Sequence, residues 1–303
     1  MLRRHGQHWR GSGPDPTQRQ MTAAKPVLDF QMNHDDVKQH WTNWANSYGA
    51  SVRATTRGQS AKELELNALM RKIGQIRASD PDTTRVLEIG CGVGVNCVEL
   101  VKRFPELSVT GLDYVPKMID NAIEYRRSSG LGEHNPSYQV GDVLNLGFPK
   151  AAFDIVLSNR CLINLETSDL QFQALDQVLD CLRPKGHVVL IENSRLTHGN
   201  QNRLRQKLGL APRPEPEFNK FFDEDALLRY AENRGLRVEE TQNFSSFHDL
   251  ILYVLIPFMN GGTVDYDHPA VAAATEISKM MTEDPTLAAG AFGQNKLFHF
   301  RKP

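Results

Sequence analysis

Three glycines at alternate positions follow an apolar run in the stretch VLEIGCGVGVNCVEL, residues 86–100. They are Gly90, Gly92 and Gly94, and Glu88 precedes them inside the apolar run. Glycine lets the backbone turn tightly and approach a ligand closely, so such a turn between a strand and a helix often binds nucleotides. The spacing is GxGxG, whereas the dinucleotide fingerprint is GxGxxG. The motif alone leaves two interpretations open, a nucleotide-like ligand or a structural turn.

Polar residues stand where each of the next three predicted strands ends. Asp113 closes the second strand, and an acid there can accept hydrogen bonds from both hydroxyls of a ribose. Asp142 closes the third; its carboxylate can accept from an adenine amine while the backbone amide of Val143 faces a ring nitrogen. Asn159 and Arg160 follow the fourth. Each alone could be a turn or capping residue, but together they favour one ligand site at the carboxyl edge of a parallel sheet.

Alternating strands and helices are predicted around these residues. Short apolar runs predict strands, and apolar residues at helical spacing predict the helices between them. This alternation is typical of an α/β fold with a parallel sheet and helices on both faces. The predicted strands are 85–90, 107–113, 137–143, 153–159, about 187–193, 236–244 and a last one within GQNKLFHFRK.

Residues 26–303 are predicted to form one domain, and two stretches interrupt its strand–helix alternation. The first is 194–222, which is polar and basic and then rich in proline, and the second is 245–290, which includes apolar helical segments. Because they follow the fifth and sixth strands, both are expected to fold over the carboxyl edge of the sheet. The preceding residues 1–25 are basic and poor in aliphatic residues, so a disordered tail is expected.

Composition excludes several classes of protein. With 36 acidic and 35 basic residues the net charge is -1, so charge gives no reason to expect a nucleic-acid partner. No stretch reaches the roughly 18 apolar residues that span a bilayer, and no signal peptide is visible, so no membrane partner and a cytoplasmic location are expected. The four cysteines form no CxxC pair, which predicts neither a zinc site nor a disulfide framework.

Class I S-adenosylmethionine-dependent methyltransferases have successive motifs that four segments of this chain resemble. The segments are VLEIGCGVG, GLDYVPKMIDNA, VGDVLNLGF and FDIVLSNRCLINL with the following LDQVLDCLRPKGHVVLIE. The resemblance is strong over 85–193 and continues through the sixth and seventh strands. It implies a Rossmann-like seven-stranded sheet of order 3-2-1-4-5-7-6 with the last strand antiparallel, helices on both faces and helical cap insertions. It also implies S-adenosylmethionine as the cofactor.

The resemblance implies a role for each residue of the cofactor site. The glycine loop would hold the methionyl end of the cofactor, with Glu88 orienting its amino group. Asp113 would hold the ribose, with Tyr114 and Met118 against the adenine. The third strand's end would bind the adenine edge, and the fourth strand's end would lie near the methionyl carboxylate or the sulfonium. The expected cofactor-binding residues are Glu88, Gly90, Cys91, Gly92, Gly94, Asp113, Tyr114, Met118, Asp142, Val143, Asn159 and Arg160.

Amino-terminal helices often cover the cofactor in such enzymes, and two helices predicted within residues 34–76 fit this use. Tyr48 would then pack near the sulfonium and contribute to catalysis, and Arg53 or Arg57 would meet the carboxylate. The alternative is that the aromatic residues of this segment pack in the core and the arginines are solvated. The two interpretations are equally compatible with the sequence.

Methyl transfer is an in-line displacement for which the cofactor carries the reactivity and the protein supplies alignment. An oxygen acceptor usually needs a base, and the candidates are His248, His198 and Glu192. No carboxylates cluster after the fourth strand, so no metal is expected. The sequence there, SNRC, lacks the (D/N)PP(Y/F) tetrapeptide of nucleic-acid amine methyltransferases, which argues against methylation of DNA bases.

The acceptor is expected to be a small molecule methylated on oxygen or nitrogen, such as a sugar or a secondary metabolite. A basic cluster suits an anionic acceptor or is a solvated helix face, and aromatic residues of the second interruption suit an apolar wall or a homodimer surface. The basic residues are Arg195, Arg203, Arg205 and Lys207, and the aromatic ones are Phe244, Phe247, Tyr253 and Phe258. Two alternatives stay open, a nicotinamide-dependent oxidoreductase, which the glycine spacing disfavours, and a non-catalytic protein that binds S-adenosylmethionine.

Overall fold

A single seven-stranded sheet organises the computed structural model, which describes residues 32–56 and 58–303. The strand order is β3-β2-β1-β4-β5-β7-β6, and β7 runs antiparallel to both neighbours while the other pairs are parallel. The predicted fold class and strand order are thereby confirmed; the predicted tail 1–25 lies outside the described residues. The strands are β1 (Arg85–Ile89), β2 (Ser108–Asp113), β3 (Ser137–Val140), β4 (Phe153–Asn159), β5 (Leu182–Asn193), β6 (Arg237–Gln242) and β7 (Asn295–Arg301).

Ten α-helices are found in the described part of the chain, and they flank the sheet or belong to the segments that cover its carboxyl edge. They are α1 (His34–Tyr48), α2 (Gln59–Ser79), α3 (Val95–Arg103), α4 (Pro116–Ser128), α5 (Ser168–Cys181), α6 (Arg195–Lys207), α7 (Glu224–Asn233), α8 (Ser246–Leu250), α9 (Ile256–Met259) and α10 (Pro269–Glu283). A π-helical turn, Ile251–Leu255, joins α8 to α9. None of these described helices is long and apolar enough to cross a membrane.

Both faces of the central strands β1, β4 and β5 are buried, which explains the apolar runs in these strands. Along β5, Val188 and Leu190 belong to one buried cluster, whereas Val189 and Ile191 belong to the other. Successive side chains of a strand point to opposite faces, so these four residues pack alternately into the hydrophobic cores on the two faces of the sheet. Residues of α5 and α7 complete the first cluster, and residues of α2 and α3 complete the second.

The first interruption, 194–222, begins at the carboxyl end of β5 and returns to that end of the strand. Ser194 caps α6 by accepting a hydrogen bond from the amide of Thr197 (3.2 Å), and the segment ends where the amide of Phe222 donates to the carbonyl of Asn193 (2.9 Å). The closed segment therefore lies at the carboxyl end of β5, as the sequence predicted.

The second interruption, 245–290, holds α8, α9 and α10 and is tied to the helices before the sheet. The amide of His248 in α8 donates to Ser278 Oγ of α10 (3.1 Å), and Lys279 of α10 pairs with Glu63 of α2 (3.2 Å). The apolar helix predicted here is broken into two short helices by the π-helical turn, a feature that often marks functional sites.

Three strands end earlier than predicted, β1 and β6 by one or two residues and β3 by three. β3 stops at Val140 instead of reaching 143, because Asp142 turns the chain. Its carbonyl accepts from the amide of Asn145 (3.0 Å), and its carboxylate accepts from the amide of Leu144 (2.9 Å). Local hydrogen bonding by an aspartate side chain competes with strand pairing. The turn keeps the Asp142 carboxylate at the edge of the sheet.

Candidate active site

A cavity of about 380 Å³ lies at the carboxyl edge of the sheet. Its lining comes from the ends of β1 to β5, from α1 and α2, and from both interruptions. Gly94, which was predicted to line the cofactor site, instead begins α3 as its left-handed cap (φ 76°) and is not among the lining residues. The lining includes the other predicted cofactor residues, namely Glu88, Gly90, Cys91, Gly92, Asp113, Tyr114, Met118, Asp142, Val143, Asn159 and Arg160.

Neighbouring side chains crowd the glycine loop, and its backbone adopts a left-handed conformation at two glycines. Gly90 and Gly92 have φ of 65° and 54°, in the left-handed region that favours glycine. A Cβ on Gly92 would lie 2.5 Å from Thr55 Cγ2, and one on Gly90 would lie 2.5 Å from Cys161 Cβ. Both positions therefore need glycine for the chain to pass between its neighbours and the cavity.

Asp113 holds the loop and faces the cavity at the same time. Its Oδ2 accepts from the amide of Gly92 (2.9 Å) and its Oδ1 accepts from the amide of Val115 (2.9 Å). Burial raises the pKa of Asp113 to about 6, while those two amides act against the shift. A carboxylate has about four acceptor sites, so each oxygen keeps capacity for a ligand hydroxyl.

Glu88 sits beneath the loop in a buried chain of polar contacts. Asn96 Nδ2 donates to Glu88 Oε1 (2.6 Å), and the Cys97 thiol donates to Glu88 Oε2 (2.9 Å). Lys62 Nζ donates to Asn96 Oδ1 (2.8 Å). Burial raises the pKa of Glu88 and lowers that of Lys62. The arrangement fixes α2 against the start of α3 and brings Lys62 to the cavity wall.

A second buried acid, Glu65 of α2, gathers the cations beside the fourth strand. Arg160 Nε lies 2.9 Å from Glu65 Oε1, and Lys62 Nζ lies 3.7 Å from Glu65 Oε2. Asn295 Nδ2 donates to the same acid (2.9 Å). Sequence reasoning missed Lys62, Glu65 and Asn295. Charged residues on the buried stripe of α2, beside Leu64, were the available signal for the first two.

Part of the cavity lining is aromatic, and we call it the aromatic wall: His40, Trp41, Trp44, Phe218 and Tyr253. The His40 and Phe218 rings stack with centroids 4.3 Å apart, and Trp41 meets Phe218 edge-on at 5.7 Å. α1, the first interruption and the π-helical turn all contribute to this wall. Only Tyr253 was predicted as part of such a wall.

The predicted catalytic residues lie elsewhere: none of His248, His198 and Tyr48 is among the described residues that line the cavity. His248 is buried between α8 and α2, with Nδ1 2.8 Å from Asp249 Oδ1 and Nε2 3.0 Å from Ser60 Oγ. His198 is buried against Phe221, and burial lowers its pKa to about 4.

Tyr48 ends α1 and is 42% exposed, with its ring against Trp44 at 5.4 Å. Glu192 is buried, accepts from Ser158 Oγ (2.5 Å) and has its pKa raised by burial to about 7, but it is not among the lining residues either. Arg57 lies outside the described residues. The sequence could not place these side chains because their positions depend on contacts between distant segments.

The basic residues predicted as an anion site also lie away from the cavity lining. Arg195 pairs with Glu215 (3.2 Å), and Arg205 is buried with Nε donating to the carbonyl of Ala211 (2.8 Å). Arg203 and Lys207 are exposed. Arg213, further along the same interruption, is the arginine that reaches the cavity.

Comparison with known proteins assigns the family. The methyltransferase-domain family matches residues 86–186. A demethylmenaquinone methyltransferase of Deinococcus radiodurans is 33% identical over 174 residues, which cover 57% of this chain and 67% of that enzyme. An ajmaline N-methyltransferase of Rauvolfia serpentina is 32% identical over 84 residues, 28% of each chain. A norajmaline N-methyltransferase of that plant is 27% identical, and the match covers 47% of this chain and 45% of the enzyme.

A solved methyltransferase structure shares the fold. A magnesium protoporphyrin IX methyltransferase from Synechocystis PCC 6803, determined with bound SAH, superposes with a TM-score of 0.53 over 88% of this chain and 95% of that one. The two sequences are 13% identical, so this likeness concerns the fold alone. The sheet order, the matched domain and the relative that is one-third identical agree. The chain belongs to the class I S-adenosylmethionine-dependent methyltransferases, and S-adenosylmethionine is its cofactor.

Proposed function

We propose that this methyltransferase transfers the methyl group to an oxygen or nitrogen of a small molecule held against the aromatic wall. One observation supports this most directly. The glycine loop and the residues of both interruptions line the same cavity. A small acceptor against the aromatic wall would share this cavity with a cofactor bound at the loop, as an in-line displacement requires.

The residues at the loop end fit the cofactor. Asp113 retains acceptor sites for two ribose hydroxyls, and Asp142 lines the cavity with one carboxylate oxygen not bonded to the amide of Leu144. The buried amide atoms of Asn159, Oδ1 and Nδ2, have no hydrogen-bond partner among the described residues. A buried unpaired amide costs about 1–3 kcal/mol, so a polar ligand group beside it would recover free energy.

The bound cofactor supplies a methyl group on a cationic sulfonium, and the protein's residues supply position and exclusion of water. Asn193 and Asn295, opposite each other at the ends of β5 and β7, keep their buried Oδ1 atoms without partners in the described chain. These carbonyl oxygens suit an acceptor hydroxyl or amine that donates hydrogen bonds. Two histidines of the described chain line the cavity, His34 and His40, and we propose that one of them acts as the base for a hydroxyl acceptor.

The small-molecule acceptor is consistent with relatives named for demethylmenaquinone and ajmaline. That the acceptor is a sugar or a secondary metabolite stays a prediction, as do a cytoplasmic location, a homodimer and the absence of a nucleic-acid partner. No three His, Cys, Asp or Glu side chains within residues 32–56 and 58–303 gather as a metal site would need. The nicotinamide alternative is not favoured.

The test combines binding with transfer. We expect S-adenosylhomocysteine to raise the melting temperature of the protein and reduced nicotinamide dinucleotide to leave it unchanged. Methyl-labelled S-adenosylmethionine should then label a small molecule in a cell extract, identified by its mass. Label found only in macromolecules, or on carbon, would contradict the proposed acceptor while leaving the cofactor assignment intact.

A further inference from the structure

We propose that the methyl acceptor is an anion and that Arg213 binds its carboxylate or phosphate group. This inference rests on the proposed function, because it assigns a substrate class to the same cavity. The observation behind it is that Arg213 lines the cavity and lies over the Tyr253 ring, while no acid of residues 32–56 or 58–303 is within ion-pair distance of it.

Arg213 is fixed by contacts on several sides. Asn202 of α6 forms two hydrogen bonds with the backbone of Arg213. Its Nδ2 donates to the Arg213 carbonyl (2.8 Å), and its Oδ1 accepts from the Arg213 amide (2.8 Å). Its guanidinium lies over the Tyr253 ring, 3.5 Å from the centroid. Nη1 donates to Gln201 Oε1 (3.1 Å) and Nη2 to Gln294 Oε1 (3.4 Å). All these partners are uncharged, so they position the guanidinium without neutralising it.

The other lysine and arginine side chains that line the cavity in the described part of the chain have acids beside them. Arg160 and Lys62 both lie within ion-pair distance of the buried Glu65. Arg213 forms no ion pair with any acid of residues 32–56 or 58–303; the nearest acid in sequence, Glu215, pairs with Arg195 (3.2 Å). A positive charge that is partly removed from water and lacks an acid gains from an anionic ligand.

Charge is also segregated along the cavity. Among the described residues the lining acids are Glu88, Asp113 and Asp142, which stand at the ends of β1, β2 and β3 beside the glycine loop. Arg213 faces the cavity from the first interruption, which is anchored at the far side of the sheet beyond β4. An anion would therefore bind more favourably beside Arg213 than beside Asp113 and Asp142, the residues expected to hold the ribose and adenine.

The geometry selects the kind of anion. A guanidinium carries five N–H donors in a planar fork, and only two donate to Gln201 and Gln294. The remaining donors suit the paired oxygens of a carboxylate or phosphate. Because Tyr253 and Phe218 belong to the adjoining aromatic wall, the anion is expected to be attached to a flat, apolar body.

Three probes of one shape test the inference. The enzyme loaded with S-adenosylhomocysteine is titrated calorimetrically with 1-naphthoate, 1-naphthyl phosphate and the uncharged 1-naphthamide. We expect at least one anion to bind about 10- to 100-fold more tightly than the amide, the range for charge-assisted hydrogen bonds. The two anions distinguish a carboxylate from a phosphate. Arg213→Gln should remove the preference and leave the affinity for S-adenosylhomocysteine unchanged.

Two further variants keep the test sharp. Gln294→Glu places a carboxylate beside the intact arginine and should weaken anion binding even if Arg213→Gln folds poorly. Arg203→Gln removes an exposed arginine of α6 and should change nothing.

Equal affinity for anion and amide, or no anion binding, would overturn the inference. The inference would also fail if Arg213→Gln weakened the binding of S-adenosylhomocysteine instead, because the arginine would then bind the cofactor. Failure of the proposed function looks different: both ligands bind, but no small molecule receives the methyl label.

Discussion

The two ends of the cavity are built in opposite ways. The glycine-loop end comes from consecutive strand–turn units, so Gly90, Gly92, Asp113 and Asp142 occur in the chain in the order in which the sheet presents them. The aromatic wall gathers α1, the first interruption and the π-helical turn, which pairs Tyr253 with Arg213 across forty positions of the sequence. The first arrangement suits a ligand common to a whole family, and the second suits an acceptor particular to this enzyme.

Among the variants that test this comparison, Asp113→Ala is expected to have the largest effect. The variant loses two potential ribose hydrogen bonds to a charged group and the acceptor for the Gly92 amide, so we expect affinity for S-adenosylhomocysteine to fall by about 100-fold or more. Calorimetry measures the affinity. Asp120→Ala, which removes an exposed acid from α4, is the matched control and should bind normally. A loss below threefold for Asp113→Ala would remove the ribose role.

Gly92→Ala tests whether the loop's crowding matters beyond its backbone conformation. The new Cβ meets Thr55 Cγ2, so we expect affinity for S-adenosylhomocysteine to fall by about 10-fold or more and the free energy of unfolding to fall by roughly 1–3 kcal/mol. Urea denaturation and calorimetry measure the two effects.

Gly49→Ala is the control for that substitution, because Gly49 also has φ 54° but its Cβ would meet nothing within 4 Å. It should lose stability from the backbone alone and keep its affinity. Thr55→Ser, which removes the opposing methyl, should restore part of the binding of Gly92→Ala. Equal losses in the two glycine variants would show that the contact with Thr55 is irrelevant.

Acidification should weaken the cofactor end through Asp113. Burial raises its pKa to about 6 in the free protein, so its carboxylate is mostly ionised at pH 7 and mostly protonated at pH 5. Ribose hydroxyls favour the ionised form, so binding at pH 5 must first remove a proton and is expected to be about 10-fold weaker. Calorimetry between pH 5 and pH 7 measures how the affinity for S-adenosylhomocysteine depends on pH, which is the slope expected here. Asp113→Asn should bind more weakly but without that slope; the same slope in Asp113→Asn would assign it to another group.

Most of the sheet and the cofactor end were predictable because their signals are local. A strand is a short apolar run, and a glycine or acid at its end has its position fixed by the strand itself. Arg213 carried no such signal, since it stands between two prolines in a polar segment and acquires meaning only beside Tyr253. Glu65 was similarly hidden: only tertiary packing brings Arg160 and Asn295 to it.

His248→Gln tests whether His248 contributes to the stability of the fold or to catalysis of methyl transfer. His248 bridges Asp249 and Ser60 in a buried position, so the substitution should lower the free energy of unfolding by about 1–3 kcal/mol. Because the residue is not among those lining the cavity, we expect kcat/KM for methyl transfer, corrected for the folded fraction, to change less than threefold. A large loss in kcat at full folding would return His248 to the catalytic role that the sequence suggested.

The smallest effect is expected from Tyr48→Phe. The hydroxyl belongs to a ring that is 42% exposed at the end of α1 and does not line the cavity, so its removal should change kcat/KM less than twofold. Steady-state methyl transfer measures this, with Tyr253→Phe as the comparison from within the cavity. A loss above tenfold would mean that the end of α1 turns inward when the ligands bind, bringing Tyr48 to the sulfonium. The acceptor end would then be shaped by closure of α1 as well as by the two interruptions.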